Sequence, residues 1–68
     1  LNVMIKVRLK ERLKEGRYSI KQVSEVTGLS RSAISDILNE KTTSISFYSL
    51  DKLCNFLKCN VSEIIEYK

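Results

Sequence analysis

The chain has 68 residues, 43% of them hydrophobic and 29% charged, with a net charge of +4. This length allows one domain at most, expected over residues 1–68, and the composition excludes a disordered tail. No apolar run approaches the roughly 20 residues that span a bilayer, and no secretory signal pattern is present. We therefore expect a cytoplasmic protein with no membrane partner. Met4 is a candidate start, in which case residues 1–3 would be non-native or belong to an alternative start.

The basic residues are unevenly distributed along the chain. Residues 1–34 contain eight Lys or Arg against three Glu, whereas residues 35–68 contain four Lys against five acids. A basic half beside a near-neutral half indicates one face suited to a polyanion. A solvated surface with excess lysine explains the charge alone at least as well, so this pattern only supports nucleic-acid binding.

The residue types that carry most catalytic and metal-binding chemistry are scarce. The chain has no histidine, and its two cysteines, Cys54 and Cys59, cannot complete the four-ligand shell of a structural zinc ion. A disulfide is disfavoured in a reducing compartment, so we expect Cys54 in the core and Cys59 half-buried at a helix end. There is also no glycine-rich phosphate loop. The sequence predicts neither an enzyme nor a cofactor, metal or small-molecule site.

The first predicted elements are a short strand and a charged helix. Apolar and basic residues alternate between Met4 and Arg8, which indicates a strand. Leu9 and Leu13, four residues apart among charged residues, then predict a helix with a narrow apolar stripe. We expect this helix to end at Gly16.

Two capped helices follow, separated by a very short turn. Ser19 and Gln22 form a capping box for a second helix, and Gly28 suits a left-handed conformation at its end. Ser30 caps a third helix over residues 31–39. Because the turn is so short, the two helices must pack at a steep angle, which is the arrangement of a helix-turn-helix.

Two further helices are predicted towards the C-terminus. Ser46 caps a fourth helix, whose apolar stripe consists of Phe47, Leu50, Leu53, Cys54 and Leu57. Asn60 and Glu63 resemble a second capping box, which would start a short fifth helix. The apolar residues of this helix would be Val61, Ile64 and Ile65. The tail over residues 65–68 could extend and pair with the N-terminal strand. The sequence thus predicts an all-α fold of five short helices, with a small sheet at most.

The polar face of the third helix suits the major groove of DNA. Arg31, Ser32 and Ser35 are short side chains or hydrogen-bond donors, so the helix can approach the groove floor. Arg31 can contact O6 and N7 of guanine in a bidentate fashion. Ser30 lies where free backbone N–H groups favour a phosphate. The residues that can reach flanking phosphates without reading sequence are Lys21, Asn39, Lys41 and Thr42.

Two segments of the chain resemble one known family. Residues 19–39 read SIKQVSEVTGLSRSAISDILN, which resembles the helix-turn-helix of the phage-repressor, Cro-type family. Residues 44–59, SISFYSLDKLCNFLKC, are similar to the fourth helix of that family, and residues 63–65 to the fifth. The resemblance covers nearly the whole chain from Met4. It implies a five-helix, lambda repressor-like domain of a bacterial, phage or mobile-element transcriptional regulator, expected to be a repressor.

The resemblance also implies roles for individual residues. It places Arg31, Ser32 and Asp36 at base-reading positions, and it assigns contacts with the DNA backbone to Lys21, Ser30, Asn39, Lys41 and Thr42. For Arg31 we favour a base contact over a merely solvated charge, whereas for Ser32 and Ser35 the two interpretations are balanced. Asp36 could accept from a cytosine amine, repel wrong sequences, or be an exposed helix charge.

The chain departs from the family pattern at three positions. Ile20 stands where Gln often contacts phosphate, and Ser24 replaces a common Ala on the inner face of the second helix. Glu40 replaces the usual Gly after Asn39, which brings a negative charge close to the expected phosphate. The first and third departures weaken individual backbone contacts without removing the motif.

Two questions about partners stay open at this level. We expect a homodimer on double-stranded DNA, on the basis of an exposed Phe56, the apolar Ile64 and Ile65, and an unpaired N-terminal strand. Phe56 and Tyr48, both off the main apolar stripe, could instead fill the edge of the core. The alternative function is a protein-interaction module, such as an antitoxin or anti-repressor.

Overall fold

The computed structural model describes residues 4–67, so the expectations about residues 1–3 and about Lys68 lie outside the described residues. In chain order the elements are β1 (Ile5–Val7), α1 (Leu9–Gly16), α2 (Ile20–Thr27), α3 (Arg31–Leu38), α4 (Phe47–Leu57), a 3-10 turn (Val61–Glu63) and β2 (Ile65–Tyr67). The described residues thus contain four α-helices and one two-stranded sheet.

The prediction of a fifth helix is wrong. Its capping interaction exists, since the backbone N–H of Asn60 donates to Glu63 Oε2 over 3.0 Å, but the segment makes only a 3-10 turn. Ile64 is fully buried, and its carbonyl accepts from the backbone N–H of Arg8 at 2.6 Å. From Ile65 onward the chain is extended against β1, so strand pairing replaces helix propagation.

The sheet confirms the pairing expected between the two ends of the chain. The strands β1 and β2 are antiparallel, with Ile5 opposite Tyr67, Lys6 opposite Glu66 and Val7 opposite Ile65. Side chains alternate between faces along a strand, so the two apolar pairs share one face and the charged pair lies on the other.

The helix α1 ends differently from the prediction, because Gly16 still belongs to it. The left-handed residue is Arg17, with a φ of 58°. Gly16 instead allows the ring of Tyr18 to approach, since a Cβ at Gly16 would lie 2.6 Å from Tyr18 Cδ2. The Tyr18 ring packs edge to face on Phe56 of α4, with ring centroids 4.8 Å apart. Phe56 therefore fills the edge of the core and is not the exposed residue that the dimer prediction assumed.

The remaining helix starts follow the sequence signals. Ser19 Oγ accepts from the backbone N–H of Gln22, and the Gln22 side chain accepts from the backbone N–H of Ser19 at 2.8 Å, which confirms the capping box. At the starts of α3 and α4, the hydroxyl oxygens of Ser30 and Ser46 each accept from the backbone N–H three residues later. A single cap of this kind stabilises a helix by about 1 kcal/mol.

One hydrophobic core joins all four helices and the C-terminal turn. Its buried residues are Leu9, Leu13, Val23, Leu29, Ile34, Ile37, Leu53 and Ile64. Two residues of the predicted α4 stripe differ from expectation. Phe47 is 89% exposed, because it is the first residue of α4 and lies at the margin of the face centred on Leu53 and Leu57. Cys54 is half-buried and packs against the core without belonging to its buried centre.

Two arginines connect α1 to the C-terminal segment. Arg8 pairs with Glu11 at 2.9 Å and with Glu66 of β2 at 3.2 Å. Arg12 pairs with Glu15 at 3.3 Å and with Glu63 at 3.5 Å. Arg12 therefore links α1 to the C-terminal segment, although exposed pairs of this kind stabilise a fold by less than about 1 kcal/mol each.

Candidate nucleic-acid interface

The turn between α2 and α3 is braced by two side-chain hydroxyls. Ser24 Oγ donates to the carbonyl of Leu29 at 2.6 Å, across the corner between the helices. Thr27 Oγ1 donates to the carbonyl of Val23 at 2.6 Å and accepts from the backbone N–H of Leu29 at 3.2 Å. Leu29 is buried between the two helices, so its polar backbone groups need these partners. The hydroxyl of Ser24, which departs from the family pattern, is thus a structural part of the turn.

Gly28 supplies the backbone conformation that this turn requires. It has a φ of 81°, and its N–H donates to the carbonyl of Ser24 at 2.9 Å. An added Cβ would meet nothing within 4 Å, so the requirement for glycine is conformational and not steric. The turn that sets the position of α3 relative to α2 therefore requires a left-handed backbone at Gly28.

The helix α3 presents a polar face to solvent. Ile34 and Ile37 are buried, and at about 100° per residue Ser32 and Asp36 fall on the opposite side of the helix. Arg31, Ser32 and Asp36 are all exposed. Within residues 4–67, Arg31 and Asp36 form no ion pair. The three base-reading candidates therefore lie on one accessible surface, and the charges of Arg31 and Asp36 are available to a partner.

Ser35 and Asn39 bond to each other at the end of α3. Asn39 Nδ2 donates to the carbonyl of Ser35 at 3.0 Å and to its Oγ at 3.3 Å. Ser35 is half-buried, which makes it the least accessible of the four base-contact candidates. Because its hydroxyl accepts from Asn39, the hydroxyl proton stays available for donation to an external acceptor.

The candidate phosphate contacts flank both ends of α3. Lys21 is exposed in the first turn of α2, and Ser30 precedes α3 with its hydroxyl already bonded to the backbone N–H of Ala33. Lys41 is exposed just after α3. The hydroxyl of Thr42 donates to the carbonyl of Ser44 at 2.6 Å, so it shapes the loop that follows.

Sequence reasoning missed the structural role of Glu40. This residue has a left-handed backbone, with a φ of 55°, at the position where the family pattern has glycine. Its Oε1 accepts from the backbone N–H of Val7 in β1 at 3.0 Å. The departure from glycine was visible in the sequence, but the partner is 33 residues away and no local pattern identifies it.

Several lysines and arginines between α1 and the end of α3 form no ion pair within the described residues. On α1 the acids Glu11 and Glu15 pair with arginines. In the part of the chain that the structure describes, the cations without ion pairs include Lys10, Lys14, Arg17, Lys21, Arg31 and Lys41. Their charge is available for long-range attraction of a polyanion.

The two thiols of the chain are partly buried. Cys54 and Cys59 are free and half-buried, and burial, together with the neighbouring Cys54, raises the pKa of the Cys59 thiol. Among residues 4–67 no group of three His, Cys, Asp or Glu side chains could hold a metal ion. Over the same residues, no helix is both long enough and apolar enough to cross a bilayer.

Comparison with known proteins agrees with this geometry. No curated protein matches the chain significantly. The family model described as the Cro/C1-type HTH DNA-binding domain matches residues 8–68, a region that contains α1 to α4 and β2. This match confirms the resemblance that the sequence suggested. The chain belongs to the Cro/C1-type family of helix-turn-helix DNA-binding domains.

Proposed function

We propose that this protein is a sequence-specific transcriptional regulator, acting as a repressor, that inserts α3 into the major groove of double-stranded DNA. The observation that carries the proposal is the exposed face of α3, which consists of Arg31, Ser32 and Asp36. The opposite face of this helix is buried in the core. The braced turn fixes the direction of that face. A protein bound there excludes others from the same DNA, which represses transcription where the site overlaps a promoter.

Sequence reading is assigned to four side chains of α3. Arg31 would donate to O6 and N7 of a guanine, and Asp36 would accept from the N4 amine of a cytosine. Ser32 and Ser35 would donate or accept at either type of base. An acid on this face also repels phosphate, so Asp36 contributes by penalising a wrong register as well as by a direct contact.

Register on the duplex is assigned to residues at the ends of the helices. Lys21 and Lys41 would pair with phosphates as flexible point charges. The remaining members of this group contribute hydroxyl, amide or backbone donors, and they are Ser30, Asn39 and Thr42. Contacts of this kind position the protein and make its affinity depend on salt, but they do not read sequence.

In vitro selection from a random-sequence duplex pool tests this proposal. Wild-type protein is expected to enrich a defined motif over successive rounds, and Arg31→Ala is expected to lose preference at one base pair of that motif. Lys10→Ala serves as the matched control, because Lys10 is an exposed cation outside α2 and α3 and should enrich the wild-type motif. A pool that stays random under wild-type selection would contradict the proposal and favour the protein-interaction module.

We further propose that the protein binds its operator as a homodimer, with half-sites about 34 Å apart along the duplex. The features that suggested a dimer have changed, because Phe56 and Ile64 are covered and β1 is paired with β2. What remains is the outer part of the apolar sheet face, where Ile5 is 45% and Tyr67 77% exposed and the two residues are direct cross-strand partners. A second copy of the chain would cover this face.

Sedimentation of the free and DNA-bound protein tests the dimer. We expect two copies per selected duplex, and we expect Tyr67→Ser to weaken both self-association and operator binding. Phe47→Ser is the control, since Phe47 is equally apolar and more exposed but lies on α4. A single copy on DNA, or equal effects of the two substitutions, would refute this surface.

A further inference from the structure

Glu40 joins the end of α3 to the sheet. Its backbone N–H donates to the carbonyl of Ile37 at 3.1 Å, and the next N–H, of Lys41, donates to the carbonyl of Asp36 at 2.9 Å, so both residues close the last turn of α3. The Glu40 side chain reaches in another direction, where Oε1 accepts from the backbone N–H of Val7 at 3.0 Å. One residue thus contacts both the recognition helix and β1.

The N–H of Val7 has no other partner in the sheet. Arg8 N–H donates to the carbonyl of Ile64, so Arg8 and Ile64 form a hydrogen-bonded pair. In an antiparallel ladder such pairs alternate with non-bonded ones, and Val7 and Ile65 are the adjacent, non-bonded pair. The N–H of Val7 therefore points out of the sheet, where it meets the Glu40 carboxylate.

We propose that Glu40 is a positioning residue for DNA recognition, which fixes the last turn of α3 and the following Lys41 against the sheet. This inference rests on the proposed function. A glycine at this position would adopt the same φ without strain but would lose the hydrogen bond to β1. The carboxylate thus compensates for an unfavourable backbone conformation through a contact that no glycine can make.

Glu40 lies among other charged side chains of α1 and the sheet. It lines a polar cavity of about 300 Å³ together with two cations, Lys6 and Arg8, and two acids, Glu11 and Glu66. Arg8 pairs with both of those acids. The hydrogen bond from the backbone N–H of Val7 is therefore the contact that directs the Glu40 carboxylate toward the sheet.

Two uncharged substitutions separate tethering from charge. Glu40→Gln keeps an acceptor oxygen at the same reach and removes the charge, whereas Glu40→Gly removes both and suits the left-handed backbone. The probe is the duplex that wild-type protein selects from the random pool. We expect Glu40→Gly to bind it about two- to tenfold more weakly than Glu40→Gln, the range that one hydrogen bond supports. The Tm of Glu40→Gly is expected to be no lower than that of Glu40→Gln.

A second variant tests the same hydrogen bond from the side of its donor. Val7→Pro removes the N–H donor, and combined with Glu40→Gly it should cause no further loss of affinity beyond Glu40→Gly alone. A merely structural role would lower Tm and affinity together, and would make the two losses add. Equal affinities of Glu40→Gln and Glu40→Gly, with wild-type protein still selecting a motif, would overturn the inference and leave the proposed function intact. Absence of any selected motif would refute both.

Discussion

Arg31 and Lys41 are exposed cations at opposite ends of α3. We expect Arg31 to contact a base and Lys41 to contact a phosphate. Replacing Arg31 by Ala should cost about 1–3 kcal/mol on the selected duplex and relax preference at one base pair, because a bidentate contact to a base edge is lost. Replacing Lys41 by Ala should weaken binding to all sequences alike and reduce the salt slope by about one. Quantitative binding titrations against selected and random duplexes measure both effects.

The pair of variants serves as its own control, since each removes one positive charge. If Arg31→Ala lost affinity equally for selected and random DNA, Arg31 would touch only phosphate. If Lys41→Ala changed the preferred sequence, the division between reading and positioning residues would be wrong.

The hydroxyl of Ser24 offers a test of the turn that does not involve DNA. Ser24→Ala should lower the free energy of unfolding by about 1 kcal/mol, because the carbonyl of Leu29 loses its donor. Ser32→Ala is the matched control, because it makes the same change on the exposed face of a helix, and its effect should stay within about 0.5 kcal/mol. Urea denaturation compares the two. Equal effects would show that the hydroxyl of Ser24 does not support the turn.

Local pattern predicted the exposed face of α3 correctly, whereas it wrongly placed Phe47 and Cys54 of α4 in the core. The exposure of Arg31, Ser32 and Asp36 follows from the spacing of the buried Ile34 and Ile37. The contacts of Glu40 could not be derived, because a hydrogen bond between residues 33 positions apart depends on the tertiary fold.

The two glycines belong to the scale of elements, where they act by different mechanisms. Gly28→Ala should destabilise the protein by about 1–2 kcal/mol through the left-handed backbone alone, since its Cβ would meet open space. Gly16→Ala should gain about 1 kcal/mol of helix propensity but displace the ring of Tyr18 from Phe56.

A double substitution distinguishes these mechanisms in thermal unfolding. In a Tyr18→Ala background, Gly16→Ala should raise Tm, because the clash has gone and the propensity gain remains. Gly28→Ala should lower Tm equally in both backgrounds. A drop in Tm for Gly16→Ala in the absence of the ring would show that Gly16 is required for another reason.

Element starts were predictable from the sequence and element ends were less so. Capping serines and the box at Ser19 and Gln22 are local signals, and the structure confirms them. The capping interaction at Asn60 was also predicted correctly, but a 3-10 turn follows it in place of an α-helix. Whether the chain continues as a helix or a strand after Ile64 depends on pairing with β1, at the other end of the sequence.

At the scale of the whole molecule, backbone pairing and side-chain contacts join the two ends of the chain and the recognition helix α3. The sheet joins residues 5–7 to residues 65–67, and Glu40 joins the sheet to α3. Ion pairs of Arg8 and Arg12 hold the same C-terminal segment to α1.

The proposed function depends above all on the reading of double-stranded DNA sequence by α3. The most direct test titrates wild-type protein into the selected duplex at two salt concentrations, with random duplex as competitor. We expect competitor-resistant binding whose affinity falls as salt rises, because phosphate contacts add to base contacts. Equal affinity for selected and random duplex at both salt concentrations would contradict it.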